Sequence, residues 1–96
     1  MNIFEFAELI DEDLELHYYA NQNGRFNACF EHSETKESLD DTMLTSTHED
    51  GLTCTEALNN YAKQIEGKCL IFHAGLEKYR KSYKVPTLEL LTEGRL

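Results

Sequence analysis

Ile3, Phe6, Ala7 and Ile10 recur at the spacing of one helical face, and Asn2 followed by Glu5 makes a capping-box pair. The opening residues therefore predict a short helix. It should stop near Asp11, Glu12 and Asp13, because successive acids meet the unfavourable end of the helix dipole. From Leu14 the period becomes two. Leu14, Leu16, Tyr18 and Ala20 share one side and Glu15, His17 and Tyr19 the other. After the polar turn holding Asn23-Gly24, Phe26, Ala28 and Phe30 alternate with Arg25, Asn27, Cys29 and Glu31, which completes a β-hairpin.

Residues 33–41 are polar and aperiodic and read as an exposed connection; Met43 to His48, rich in Thr, reads either as a third strand or as more loop. Asp50-Gly51 breaks that segment. Thr53 with Glu56 then forms a Thr-x-x-Glu capping box, and Ala57, Leu58, Tyr61, Ala62 and Ile65 make the apolar stripe of a second helix that stops at Gly67. Cys69 to Phe72 is a short apolar run suited to a covered strand. Tyr79, Lys81, Tyr83 and Val85 alternate as an edge strand would, and Pro86 is tolerable at its end. Residues 87–96 read as a last helical turn or a loosely docked tail. The order predicts an α+β fold, an antiparallel sheet of three to five strands with its helices on one face.

Length and composition narrow the reading. Ninety-six residues make one domain, with a core over about residues 14–88, and 41% hydrophobic residues including five Phe and five Tyr supply that core. No apolar run reaches the length of a bilayer span, and the acidic N-terminus is unlike a signal peptide, so a cytoplasmic location is expected. Cys29, Cys54 and Cys69 are an odd set without close pairing, read as mostly buried thiols in a reducing compartment.

The net charge of −9 is unevenly placed: residues 1–50 hold thirteen acids against Arg25 and Lys36, while residues 51–96 hold five acids against seven bases. Such a field repels phosphate backbones and anionic headgroups, so nucleic-acid and membrane binding by the whole surface is not expected. A local exception is the basic cluster of Lys78, Arg80, Lys81 and Lys84.

Chemistry-bearing motifs are sparse. His17, His32, His48 and His73 share no metal-ligand spacing, although neighbouring strands could bring Cys29, His32 and His48 together. Cys54, in the first turn of a helix, is the best nucleophile candidate, but no partner base is identifiable. His73, beside Phe72, reads as a structural histidine of the apolar strand. No phosphate-binding glycine loop occurs. The expectation is a non-enzymatic chain without cofactor or metal.

The acidic runs Asp11-Glu12-Asp13, Asp40-Asp41 and Glu49-Asp50 fall at element ends or in loops and are read as solvated surface or as a protein-binding surface that imitates DNA phosphates. Tyr18 and Tyr61 read as core. Tyr79 and Tyr83 sit near the expected edge strand, where exposed tyrosine suits a protein interface or a homodimer.

Two sets of residues carry a resemblance. Gly24-Arg25-Phe26-Asn27-Ala28-Cys29-Phe30 followed by Asp50-Gly51-Leu52-Thr53-Cys54-Thr55-Glu56-Ala57-Leu58 resembles HicB-like antitoxin domains. Glu56-Ala57-Leu58 with Tyr61-Ala62, Ile65, Gly67-Lys68, Leu70 and Val85-Pro86 is similar to small proteins of phages and prophages of Gram-positive bacteria. The resemblance implies a β-β-β-α-β core and a protein that binds and masks a protein partner. It implies no repressor activity, since no helix-turn-helix or ribbon-helix-helix pattern follows Pro86. The expected function is thus that of a phage or prophage accessory protein binding another protein through its acidic surface or an exposed sheet edge. The alternatives are nucleic-acid binding through the basic cluster and a small self-associating structural role.

Overall fold

A computed structural model describes residues 1–92 of the chain. Helix α1 (Ile3–Ile10) opens it, with the capping box formed as expected: Asn2 accepts from the Glu5 amide, and Glu5 from the Asn2 amide. Asp11 ends the helix in the left-handed region at φ 55°, so the first acid of the run is its C-cap. The chain continues through β1 (Leu14–Tyr19), a turn of 3-10 helix and β2 (Arg25–Phe30), paired antiparallel from Leu14↔Phe30 to Tyr19↔Arg25. The hairpin is the expected one.

Two residues later the same strand direction resumes as β3 (Ser33–Lys36), in a segment whose composition predicts loop. The Met43–His48 alternative resolves as loop touched by a single bridge, Thr45 to Thr35, and the next strand is the short β4 (Glu49–Gly51), where the sequence suggests only a break. Helix α2 (Cys54–Ile65) follows, capped by Thr53, whose hydroxyl accepts from the Glu56 amide, and Gly67 turns the chain out of it at φ 77°. Strand β5 (Cys69–Phe72) is wholly buried. Strand β6 (Lys81–Lys84) closes the order and starts later than the alternation suggests, because Tyr79 belongs to a 3-10 turn.

The class is α+β with antiparallel strands and a short helix first, and the strands divide into two three-stranded sheets, ordered β1-β2-β4 and β3-β5-β6. The division has a local cause. His32 adopts φ 57° between β2 and β3, which bends one long strand into two. Residues 45–51 follow one edge of that bent strand, pairing with β3 at Thr35 and with β2 at Ala28 to Phe26. On the other edge β1 pairs with β2 and β5 with β3, and the two diverge at the bend, where the Glu31 amide donates to the Asp13 carbonyl and the His73 amide to the His32 carbonyl.

Helix α2 packs on β2 and β4 and brings Ala57, Leu58, Tyr61, Ala62 and Ile65 into one core with Phe6, Ala28, Phe30, Leu70, Phe72, Val85 and Leu88. Phe30 is central, in edge-on contact with both Phe6 and Phe72 and tilted against Tyr61. The helix does not extend over β1, so Tyr18, on the expected face, is 59% exposed rather than core. Of the three thiols only Cys69 is buried, whereas Cys29 and Cys54 are half-buried.

Residues 85–91 dock extended rather than helical. The Gly67 amide donates to the Val85 carbonyl and the Val85 amide to the Lys68 carbonyl, Glu66 accepts from the Leu88 amide, and Leu88 is buried. Asn59 grips Leu91 with both ends of its amide, donating to the carbonyl at 3.0 Å and accepting from the N–H at 2.7 Å. Glu89 reaches the start of the chain: its amide donates to the Met1 carbonyl and its carboxylate meets the terminal amine at 3.3 Å. Asn59→Ala is expected to release this strap at a cost of about 1–2 kcal/mol for the two bonds, seen as faster amide exchange at Leu88 to Leu91 while β2 stays protected.

Candidate binding face

Alternation along the hairpin sends Phe26, Ala28 and Phe30 toward α2 and leaves the other side of the first sheet, among the described residues, without a helix. That outer side is a shallow depression of about 910 Å³. Glu15, His17 and Tyr19 of β1, Asn27 and Cys29 of β2, Glu31 of the bend that follows it, and His48 and Asp50 from the paired 45–51 segment form its floor and one wall; the turn after β5, from His73 to Leu76, forms the far wall. All four histidines line it. No motif spacing announces this, because the bend at His32 gathers them.

The floor is held by side-chain bonds. Asn27 is 8% exposed and its amide nitrogen lies 2.8 Å from His48 Nδ1 and 2.7 Å from Asp50 Oδ1, tying β4 and its approach to β2. Glu15 Oε2 and His17 Nε2 are 2.8 Å apart, and that imidazole is the first cause of a Glu15 carboxyl pKa held below the usual range. His32 and His73 stack with centroids 5.2 Å apart, both at positive φ; His73 stands just beyond the apolar strand and not within it. Cys29, His32 and His48 do line the same depression, as the hairpin register allows.

This face is poorly equipped for catalysis by Cys29. Burial pushes the Cys29 thiol pKa up, and the negative fields of Glu15 and Glu31 push it further. A protonated thiol is a weak nucleophile. Among the described residues no group of three or more His, Cys, Asp or Glu could hold a metal ion. Alkylation of Cys29 is expected to be slow at pH 8 and to rise with pH above the ordinary thiol range; Glu15→Gln and Glu31→Gln should each speed it at fixed pH by removing a neighbouring negative charge. Mass spectrometry of iodoacetamide-treated protein reads this directly.

The acidic runs are dispersed. Asp50 lines the outer face, Asp41 and Glu49 line a second groove beside β3, and Glu12 lines a third with His73, Lys78, Tyr79, Arg80 and Lys81. Asp11 is the cap of α1, Asp13 gives its carbonyl to Glu31, and Asp40 is exposed in the loop after β3. Tyr83 is half-buried with its ring edge-on to Phe72, while Tyr79 is exposed. The residues with acidic side chains that do share the outer face are Glu15, Glu31, Glu34 and Asp50. The sequence signal for the first two is the polar phase of the hairpin, which alternates where the other acids run consecutively.

The chain matches no family model, no curated protein and no solved structure. What is established is the α+β class and that, among the described residues, no helix is long and apolar enough to cross a membrane.

Proposed function

We propose that this chain is a non-enzymatic protein-binding module and that the outer face of the first sheet is its contact surface. The observation that carries this is the depression between the outer side of the first sheet and the start of β3 and end of β5, with four carboxylates, four imidazoles and Tyr19 across it. Mixed polar groups around a partly exposed tyrosine suit a wet, charge-selective protein contact. The acids select a partner with a basic patch. The resemblance to phage and HicB-like proteins supports a small toxin or a host nucleic-acid enzyme as that partner, in the cytoplasm of a bacterial host.

The test is affinity capture with two baits, the natural chain and the Glu31→Lys, Glu34→Lys double variant. Both positions are at least partly exposed, so the fold should survive. A partner retained by the natural bait, released by raised salt and absent from the variant bait is the expected result. Equal retention by both baits would place the contact elsewhere.

A separate patch supports nucleic-acid binding as the second reading: Lys78, Arg80 and Lys81 line one groove, with the Lys78 ammonium 5.7 Å from the Tyr79 ring centroid. A gel shift at low salt that is lost in Arg80→Glu would favour it.

A further inference from the structure

The sheet edges differ in how they are guarded. Strand β6 carries Lys81 and Lys84, both exposed, and runs into Pro86, the devices that discourage strand pairing. Strand β4 is three residues long, and Asn60 donates to its Asp50 carbonyl at 2.9 Å. Strand β3 has Thr45 on its second edge. Strand β1 has six residues, no Lys, Arg or Pro, and among the described residues no strand on its second edge, which is open.

Its open edge presents a defined set of groups. Asp13 accepts from the Glu31 amide, so alternation of the antiparallel ladder turns the N–H and C=O of Glu15, His17 and Tyr19 toward β2 and those of Leu14, Leu16 and Tyr18 outward. On the helix side Leu16 and Tyr18 stay 40% and 59% exposed, since α2 does not reach them.

We propose that β1 pairs antiparallel with β1 of a second copy of this chain, with Leu16 opposite Leu16 at the two-fold axis. A two-fold perpendicular to the sheet keeps like faces together, which allows only registers that place even residues against even ones. Centring on Leu16 keeps the pairing within residues 14–18 and sets Leu14 against Tyr18 on the helix side. On the outer side it sets Glu15 of each copy against His17 of the other. Centring on His17 instead faces imidazole with imidazole and pairs Leu14 with Ala20, which has left the strand. Complementarity of Glu15 and His17, already bonded within one copy, selects the first register. The dimer joins two three-stranded sheets into one of six and sets the two outer faces side by side. It does not depend on the protein partner proposed above, since it concerns the chain alone.

Sedimentation equilibrium of the untagged chain at neutral pH tests it, with a reversible monomer–dimer equilibrium expected. Leu16→Pro removes one outward N–H and leaves the ladder to β2 intact, so it should yield a folded monomer. Glu15→Lys should weaken the dimer about tenfold or more, because the contact occurs twice, and adding His17→Glu should restore it. Under mild oxidation Leu16→Cys should cross-link to itself and His17→Cys should lag. A monomer at every concentration, a dimer indifferent to the charge reversal, or faster cross-linking at position 17 would overturn the proposal.

Discussion

Gly51→Ala is expected to destabilise the chain by about 3 kcal/mol or more, because its added Cβ makes the closest approach to other atoms among Gly24, Gly51, Gly67 and Gly75. Gly51 ends β4 where the first turns of α2 cross it. A Cβ there would stand 2.3 Å from the Ala57 nitrogen and 2.8 Å from the Ala57 Cα and the Glu56 carbonyl carbon. All three are backbone atoms, so no rotamer change relieves the clash. The helix would have to lift, drawing Ala57 and Tyr61, both fully buried, off the sheet. Gly75→Ala is the control, because a Cβ at that position meets nothing within 4 Å; it should stay within about 0.5 kcal/mol of the natural chain. Urea unfolding of the two variants measures the difference, and equal midpoints would refute the close approach of β4 and α2.

Tyr61→Phe should cost about 1–3 kcal/mol at neutral pH, and the cost should shrink in alkali. The Tyr61 hydroxyl oxygen accepts from the Phe30 amide at 3.0 Å in the middle of the core. Phenylalanine fills the same space but leaves that buried N–H without a partner. Burial also pushes the Tyr61 pKa up to about 12. The unfolded chain gives up this proton near pH 10 and the folded chain two units later, so the natural protein loses stability from about pH 10 to about pH 12, at roughly 1.4 kcal/mol per unit. The variant has no such proton. Unfolding curves of the two proteins should therefore converge across that window, and a constant gap would show that the hydroxyl is not buried.

Both helices and the hairpin were legible because each rests on local chemistry: the Asn2–Glu5 and Thr53–Glu56 caps, the stripe from Ala57 to Ile65, and the alternation around Asn23-Gly24. Ser33–Lys36 was not legible, since Ser-Glu-Thr-Lys offers no apolar residue. Its one buried side chain, Thr35, is satisfied by Thr47 at 2.6 Å and by pairing with Thr45, which are distant in sequence. Tyr18 shows another limit. Period two assigns a face correctly, but only the reach of α2 decides whether that face is covered.

The candidate face was half legible. Glu15, His17, Asn27, Cys29 and Glu31 are the polar phase of a recognised hairpin. His48 and Asp50 join them through the pairing of β4 with β2, and His73 through the bend at His32, a positive φ at a residue whose type does not require one. Alternate acids share the surface, whereas the consecutive ones are dispersed over separate parts of the fold.

The bond between Glu89 and Met1 has a consequence for biosynthesis. The ribosome releases the amino-terminal helix first, yet the backbone segment that latches it is made 88 residues later. Until Glu89 emerges Ile3, Phe6 and Ile10 have no strap to hold them in place, and the hairpin and α2 must form beneath an unfastened helix. A nascent chain stalled before Glu89 clears the exit tunnel should hold its central core while α1 remains open to proteases and chaperones, and emergence of Glu89 should close that window.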